Sequence, residues 1–93
     1  MTQESSAFHL NSVEMQGELY NELASVRTKL AKRHNTLAMY VANNTTLAEI
    51  AQFRPCNIEQ LATLHGMNLD KAEKYGRAIL DVVDKHSKKY VEK

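Results

Sequence analysis

Residues 61–80 read LATLHGMNLDKAEKYGRAIL, and the organisation of the whole chain follows from that stretch. Leu61, Ala62 and Leu64 recur at helical spacing, Gly66 offers a position where positive φ is easily adopted, and Ala72, Tyr75 and Ile79 resume a step of three to four. Two helices joined by a tight glycine turn are predicted, the second opening with unpaired backbone N–H groups beside Lys71 and Lys74. A helix N-terminus carries a partial positive charge, and nearby lysines add point charges without reading sequence. One reading of Gly66, Asn68, Lys71 and Lys74 is therefore a phosphate-binding turn. The other is an αα-hairpin that only packs, and these residues alone leave both open.

Downstream, the last helix is expected from about Leu69 to Lys88, with Ala72, Tyr75, Ile79, Val82 or Val83, and His86 on its inner side. Upstream, Asn57 is placed to cap a helix that buries Ile58, Leu61, Ala62 and Leu64 and ends at Gly66. Before it, Thr46 and Glu49 have the spacing of a capping box, so a helix with Leu47, Ile50 and Ala51 inward begins near Thr46 and stops at Pro55. Met39, Tyr40 and Val41 make residues 37–44 too apolar for an exposed loop, which predicts a short helical turn across the core. From about Glu14 to His34, Met15, Leu19, Leu23, Val26 and Leu30 form the stripe of an amphipathic first helix.

Nothing reads as a strand, an internal repeat or a low-complexity tract. The expected architecture is a single all-α domain of four to five short helices with a turn of helix-hairpin-helix type, although Asn68 stands where that motif usually has a second glycine. Its expected bounds are 14–90, with residues 1–13 as a flexible tail or linker and 91–93 as a C-terminal tail.

Composition agrees with an ordinary globular chain. The 93 residues are 43% hydrophobic and 25% charged, with three glycines and one proline, which excludes disordered and collagenous classes. A single cysteine, Cys56, cannot close an intramolecular disulfide, and a reducing intracellular compartment is expected. No apolar run approaches the roughly 18–20 residues that cross a bilayer, so a soluble chain without membrane partners is expected.

The formal net charge of +1 conceals segregation. Residues 1–26 hold Glu4, Glu14, Glu18 and Glu22 with no Lys or Arg, whereas residues 27–33 hold Arg27, Lys29, Lys32 and Arg33 with no acid. Residues 71–93 hold seven bases against four acids. Acid at the start and base at the end of a helix complement its dipole, so the first basic zone reads equally as helix stabilisation or as a phosphate contact.

Chemistry within the chain is poorly supported. Cys56 and His65 are the one thiol and base to consider, but a cysteine between Pro55 and Asn57 reads as a small filler residue. His9, His34, His65 and His86 contain no i, i+4 pair and lack a second cysteine, so neither catalytic nor metal-binding residues are expected. No Gly-rich phosphate loop is present, which leaves any ATP hydrolysis to another part of a larger protein and gives this domain no cofactor of its own.

In sequence order the chain resembles the HRDC domain, the helicase and RNase D C-terminal module behind the catalytic parts of RecQ-type helicases and RNase D-type exonucleases. The landmarks are a helix ending in a basic run, a connector leading to Asn43-Asn44-Thr45-Thr46-Leu47, the segment Ile50-Ala51-Gln52-Phe53-Arg54-Pro55, and Leu64-His65-Gly66-Met67 followed by Asp70-Lys71-Ala72-Glu73-Lys74-Tyr75-Gly76. They span about two-thirds of the chain, and the Lys74-Tyr75-Gly76 ending is similar to the helicase members.

The resemblance implies a monomeric, non-enzymatic auxiliary domain that binds single-stranded or branched DNA weakly and directs a helicase in replication, recombination and repair. ATP and a divalent metal would belong only to the parent's core, and the location would be cytoplasm or nucleoid in a bacterium, or the nucleus in a eukaryote. Some copies in the family instead contact their helicase core or another protein. The family's connector aromatic, nearby asparagine and lysine of the last helix correspond to Met39 and Tyr40, to Asn43, and to Lys71. Leu37 and Ala38 replace the usual prolines, and Met39 occupies the aromatic position with Tyr40 one residue later. The expectation is that Tyr40 is exposed beside Asn43 while Met39 turns inward to fill the core; the alternative register buries Tyr40 and exposes Met39.

Overall fold

The computed structural model describes residues 13–91, and among these described residues it has five α-helices and no strand. They are α1 (Val13–Arg33), α2 (Ala38–Val41), α3 (Asn44–Phe53), α4 (Ile58–Ala62) and α5 (Leu69–Val91). This is the all-α architecture expected from periodicity. Of the expected N-terminal tail, residues 1–12 lie outside the described residues and Val13 already opens α1; at the other end α5 continues through Val91.

Two contacts fix how the long helices run. Just past α1, His34 meets Tyr75 edge-on with ring centroids 5.0 Å apart, whereas near the start of α1 Glu18 Oε1 lies 3.3 Å from His86 Nε2. Numbers rise along α1 as they fall along α5, so the two are antiparallel, and the basic end of α1 lies beside the first turns of α5. Leu19, Leu23 and Leu30 of α1, Leu47 and Ile50 of α3, Leu61 of α4, and Ala72, Ile79 and Val83 of α5 close one shared core. Truncating one of its leucines or isoleucines costs about 2–5 kcal/mol. Gly76 lets α4 approach α5, since a Cβ there would lie 2.7 Å from Ile58 Cδ1.

The helix ends correct two expectations. The α3 cap is Asn43, whose Oδ1 accepts the Thr46 N–H at 2.8 Å; Thr46 stands one turn into the helix and is fully buried. Thr46 and Glu49 therefore form no capping box. A near relative of that box stands at α4, where the cap Asn57 Oδ1 accepts the Gln60 N–H at 2.8 Å and Gln60 Oε1 accepts, at 2.7 Å, the N–H of Cys56, one residue before the cap. Helix α4 also ends at Ala62 and not at Gly66. The Thr63 hydroxyl donates to the Gln60 carbonyl, and the Leu64 and Met67 amides bond three residues back, so the chain tightens into turns before the glycine.

Proline acts as expected at the end of α3, and Arg54 before it adopts the left-handed region at φ 49°. That geometry costs a non-glycine residue about 1–2 kcal/mol. Its guanidinium offsets the strain by donating from Nη1 to Ser87 Oγ at 2.8 Å and from Nη2 to His86 Nδ1 at 3.0 Å. Because a guanidinium only donates, Nδ1 accepts, and the ring proton sits on Nε2 facing Glu18 at 3.3 Å. His86 is thus the inward residue the helix periodicity predicts, 1% exposed, and it ties α1, α3 and α5 together.

Candidate nucleic-acid interface

The site begins at the first turn of α3. Its cap, Asn43, is held by the Thr46 amide, and the buried Thr46 hydroxyl lies 2.6 Å from the His65 carbonyl and 3.0 Å from Asn43 Oδ1, two acceptors for its one proton. One turn on, Glu49 Oε1 accepts the His65 N–H at 2.8 Å. Both backbone polar groups of His65 are therefore taken by α3. Gly66 follows at φ 80°, and a Cβ there would collide with Thr46 Oγ1 while lying 3.4 Å from Asn43 Nδ2. The glycine turn is seated directly against the α3 cap, which places Asn43 beside Gly66 although 23 residues separate them.

On the far side of that turn Asn68 caps α5. Its Oδ1 accepts the Lys71 N–H at 2.8 Å, and its carbonyl accepts the Ala72 N–H at 2.8 Å. The cap therefore uses the Lys71 N–H itself, so of the first-turn amides expected to be unpaired that one is taken. Asp70 also sits in the first turn, where its carboxylate complements the helix dipole and opposes an anion. Lys71 supplies a basic side chain in the same turn. Lys74 faces elsewhere: its Nζ lies 5.5 Å from the Tyr75 ring centroid, and it borders an open groove of about 1210 Å³ with Arg33, His34, Arg77, Glu73 and Asp81.

The connector supplies the aromatic. Tyr40 is 59% exposed, as expected, but Met39 is 61% exposed and does not fill the core. The reason is the brevity of α2: in a single turn Ala38 and Val41 face inward, so residues 39 and 40 are rotated outward together. With Leu37 they leave an exposed apolar ridge next to Asn43.

Arg27 underlies this end of the molecule. Its Nη1 donates to the Ala42 carbonyl at 3.1 Å and to Asn44 Oδ1 at 2.9 Å, which ties α1 to the connector; its buried Nε has no hydrogen-bond partner. Lys29 is exposed on the same helix. The structure thus brings Asn43 against Gly66, with Asn68 and Lys71 following on the far side of the turn and Arg27 tied to Ala42 and Asn44, while Met39 and Tyr40 are exposed on the connector and Lys74 borders the groove. Sequence reasoning missed Thr46 and Glu49 as clamps, although their spacing drew notice, because their partner His65 is distant in sequence.

Cys56 is exposed and not a core filler, since its segment carries the α4 cap at the surface; its Sγ lies 3.9 Å from the Arg54 carbonyl. Among the described residues no group of three or more His, Cys, Asp or Glu side chains is arranged to hold a metal ion, and no helix is long and apolar enough to cross a membrane.

The described residues form an all-α domain in which the α3 cap packs against the glycine turn that joins α4 to α5. Residues 16–83 match the HRDC domain, and the chain belongs to that family. It is similar to the ATP-dependent DNA helicase RecQ of Pasteurella multocida, with 27% identity over 71 residues that cover 76% of this chain and 11% of that protein. The ATP-dependent helicase wrn-1 of Caenorhabditis elegans is 28% identical over 71 residues, 76% of this chain and 7% of the relative. The RecQ helicase of Haemophilus influenzae is 26% identical over 69 residues, 74% of this chain and 11% of the relative. The chain spans about a tenth of the length of these relatives or less. No solved structure matches at comparable significance.

Proposed function

We propose that this domain is an auxiliary nucleic-acid-binding module of a RecQ-type DNA helicase, holding single-stranded or branched DNA weakly while the parent's core carries ATP and metal. The observation that supports the reading is the contact of the Asn43 cap with the Gly66 turn, which leads through Asn68 into the first turn of α5 with Lys71, together with the exposure of Tyr40 three residues before that cap. An exposed ring stacks on any base, and a lysine one turn into a helix neutralises a phosphate without reading sequence. With few cations there, affinity is modest and sequence-tolerant. Titration against single-stranded, duplex and forked DNA at several salt concentrations tests it. About two to four phosphate contacts give a log–log slope of magnitude roughly 1.5–3 for single strands. No binding at millimolar protein and low salt would remove the reading.

A second reading, a helical adaptor docking on the helicase core or another protein, is favoured by the apolar ridge Leu37, Met39 and Tyr40, each more than half exposed, on a chain of net charge +1. Salt separates the two: an apolar contact persists as salt rises, whereas a phosphate contact fades.

A further inference from the structure

We propose that Thr46, assisted by Glu49, is a positioning residue that locks the connector and the glycine hairpin into one contact surface; the inference rests on the nucleic-acid reading above. The two segments are separate in sequence, and what joins them is the first turn of α3. Thr46 is polar yet fully buried, and its hydroxyl reaches the His65 carbonyl at 2.6 Å and Asn43 Oδ1 at 3.0 Å. Glu49 holds the His65 amide at 2.8 Å. An exposed turn residue whose backbone needs would be met by water is instead held at both its N–H and its C=O by side chains of another helix. The turn is thereby fixed relative to Asn43 and, through the connector, to Tyr40.

Two weak contacts on a rigid frame bind more tightly than the same two on segments that must be ordered at binding, because the ordering is done in advance. Neither Thr46 nor Glu49 needs to touch DNA. Releasing the clamp leaves Tyr40 and Lys71 chemically intact while the distance between them wanders.

The test uses the whole chain with a fluorescent oligothymidylate at low salt, together with amide hydrogen exchange of residues 65–71. In Thr46→Val, which keeps the buried volume, exchange at those amides should rise and affinity should fall about three- to tenfold. Thr46→Ser, which restores the hydroxyl, should recover both. Glu49→Ala should reproduce the loss without disturbing the buried position, and Glu49→Gln, which keeps an acceptor oxygen, should recover it. These variants decide the matter if Thr46→Val does not fold. Faster exchange with unchanged affinity in either variant overturns the positioning role alone. Absence of binding by the unaltered chain removes the nucleic-acid reading and this inference with it, and the unaltered arm reports that outcome separately.

Discussion

Replacing Gly66 by alanine tests the joint between the hairpin turn and α3. At φ 80° an alanine pays about 1–2 kcal/mol for the left-handed conformation. Its Cβ also collides with Thr46 Oγ1, which is fully buried and hydrogen-bonded to the His65 carbonyl, so that hydroxyl cannot swing away without losing a bond worth about 1 kcal/mol. Reduced freedom of the unfolded chain returns about 0.4–1 kcal/mol. Because strain and collision exceed that return, Gly66→Ala is expected to destabilise by about 1–2.5 kcal/mol, the range left when these terms are combined. Urea denaturation should show a lower midpoint at unchanged slope. In a Thr46→Ala background the colliding oxygen is gone and only backbone strain remains, so a double-mutant cycle should give a coupling of about 1 kcal/mol. A Gly66→Ala effect within about 0.5 kcal/mol, or one identical in both backgrounds, would refute the packing argument.

Three further outcomes follow from the geometry. Tyr40→Ala should leave stability within about 0.5 kcal/mol, because the ring is more than half exposed, and should weaken single-strand binding by about 1–3 kcal/mol; unchanged affinity in a titration would take the ring out of the interface. Lys71→Glu should lower affinity and reduce the magnitude of the salt slope by about 0.7, one phosphate contact, while thermal unfolding moves little; a large loss of stability would make Lys71 structural. Arg54→Gly relieves left-handed strain but strands the buried His86 Nδ1, a group that costs about 1–3 kcal/mol when unpaired, so it should destabilise, whereas Asn35→Gly, also at positive φ but without that network, should be neutral or stabilising. Equal effects of the two in parallel denaturation curves would show that the Arg54 side chain contributes nothing.

Much of the fold was legible because its information is local. The three-to-four spacing of Leu19, Leu23 and Leu30, and of Ala72, Tyr75, Ile79, Val83 and His86, exists only as a periodicity in the chain, and each of those residues is buried. The Asn57 cap was equally visible, since cap and capped amide lie three residues apart. The family resemblance rested on the same local segments and met the same outcome.

What the sequence left open depends on partners that meet only in three dimensions. Thr46 and Glu49 have capping-box spacing, yet Asn43 takes the cap and the pair turns to His65, because the hairpin turn packs close enough to compete for them. Met39 and Tyr40 could trade places on paper, but a one-turn helix with Val41 anchored in the core rotates both outward. Arg27 and Lys29 look alike in a basic run, and only the approach of Ala42 and Asn44 makes Arg27 a tether and leaves Lys29 exposed. Sequence alone determined which helices form and which faces they bury, because propensity, capping and apolar spacing act over a few residues. Tertiary structure decided which polar groups face the surface together, because a hydrogen bond between distant segments depends on how the helices are stacked, and no spacing along the chain encodes that directly.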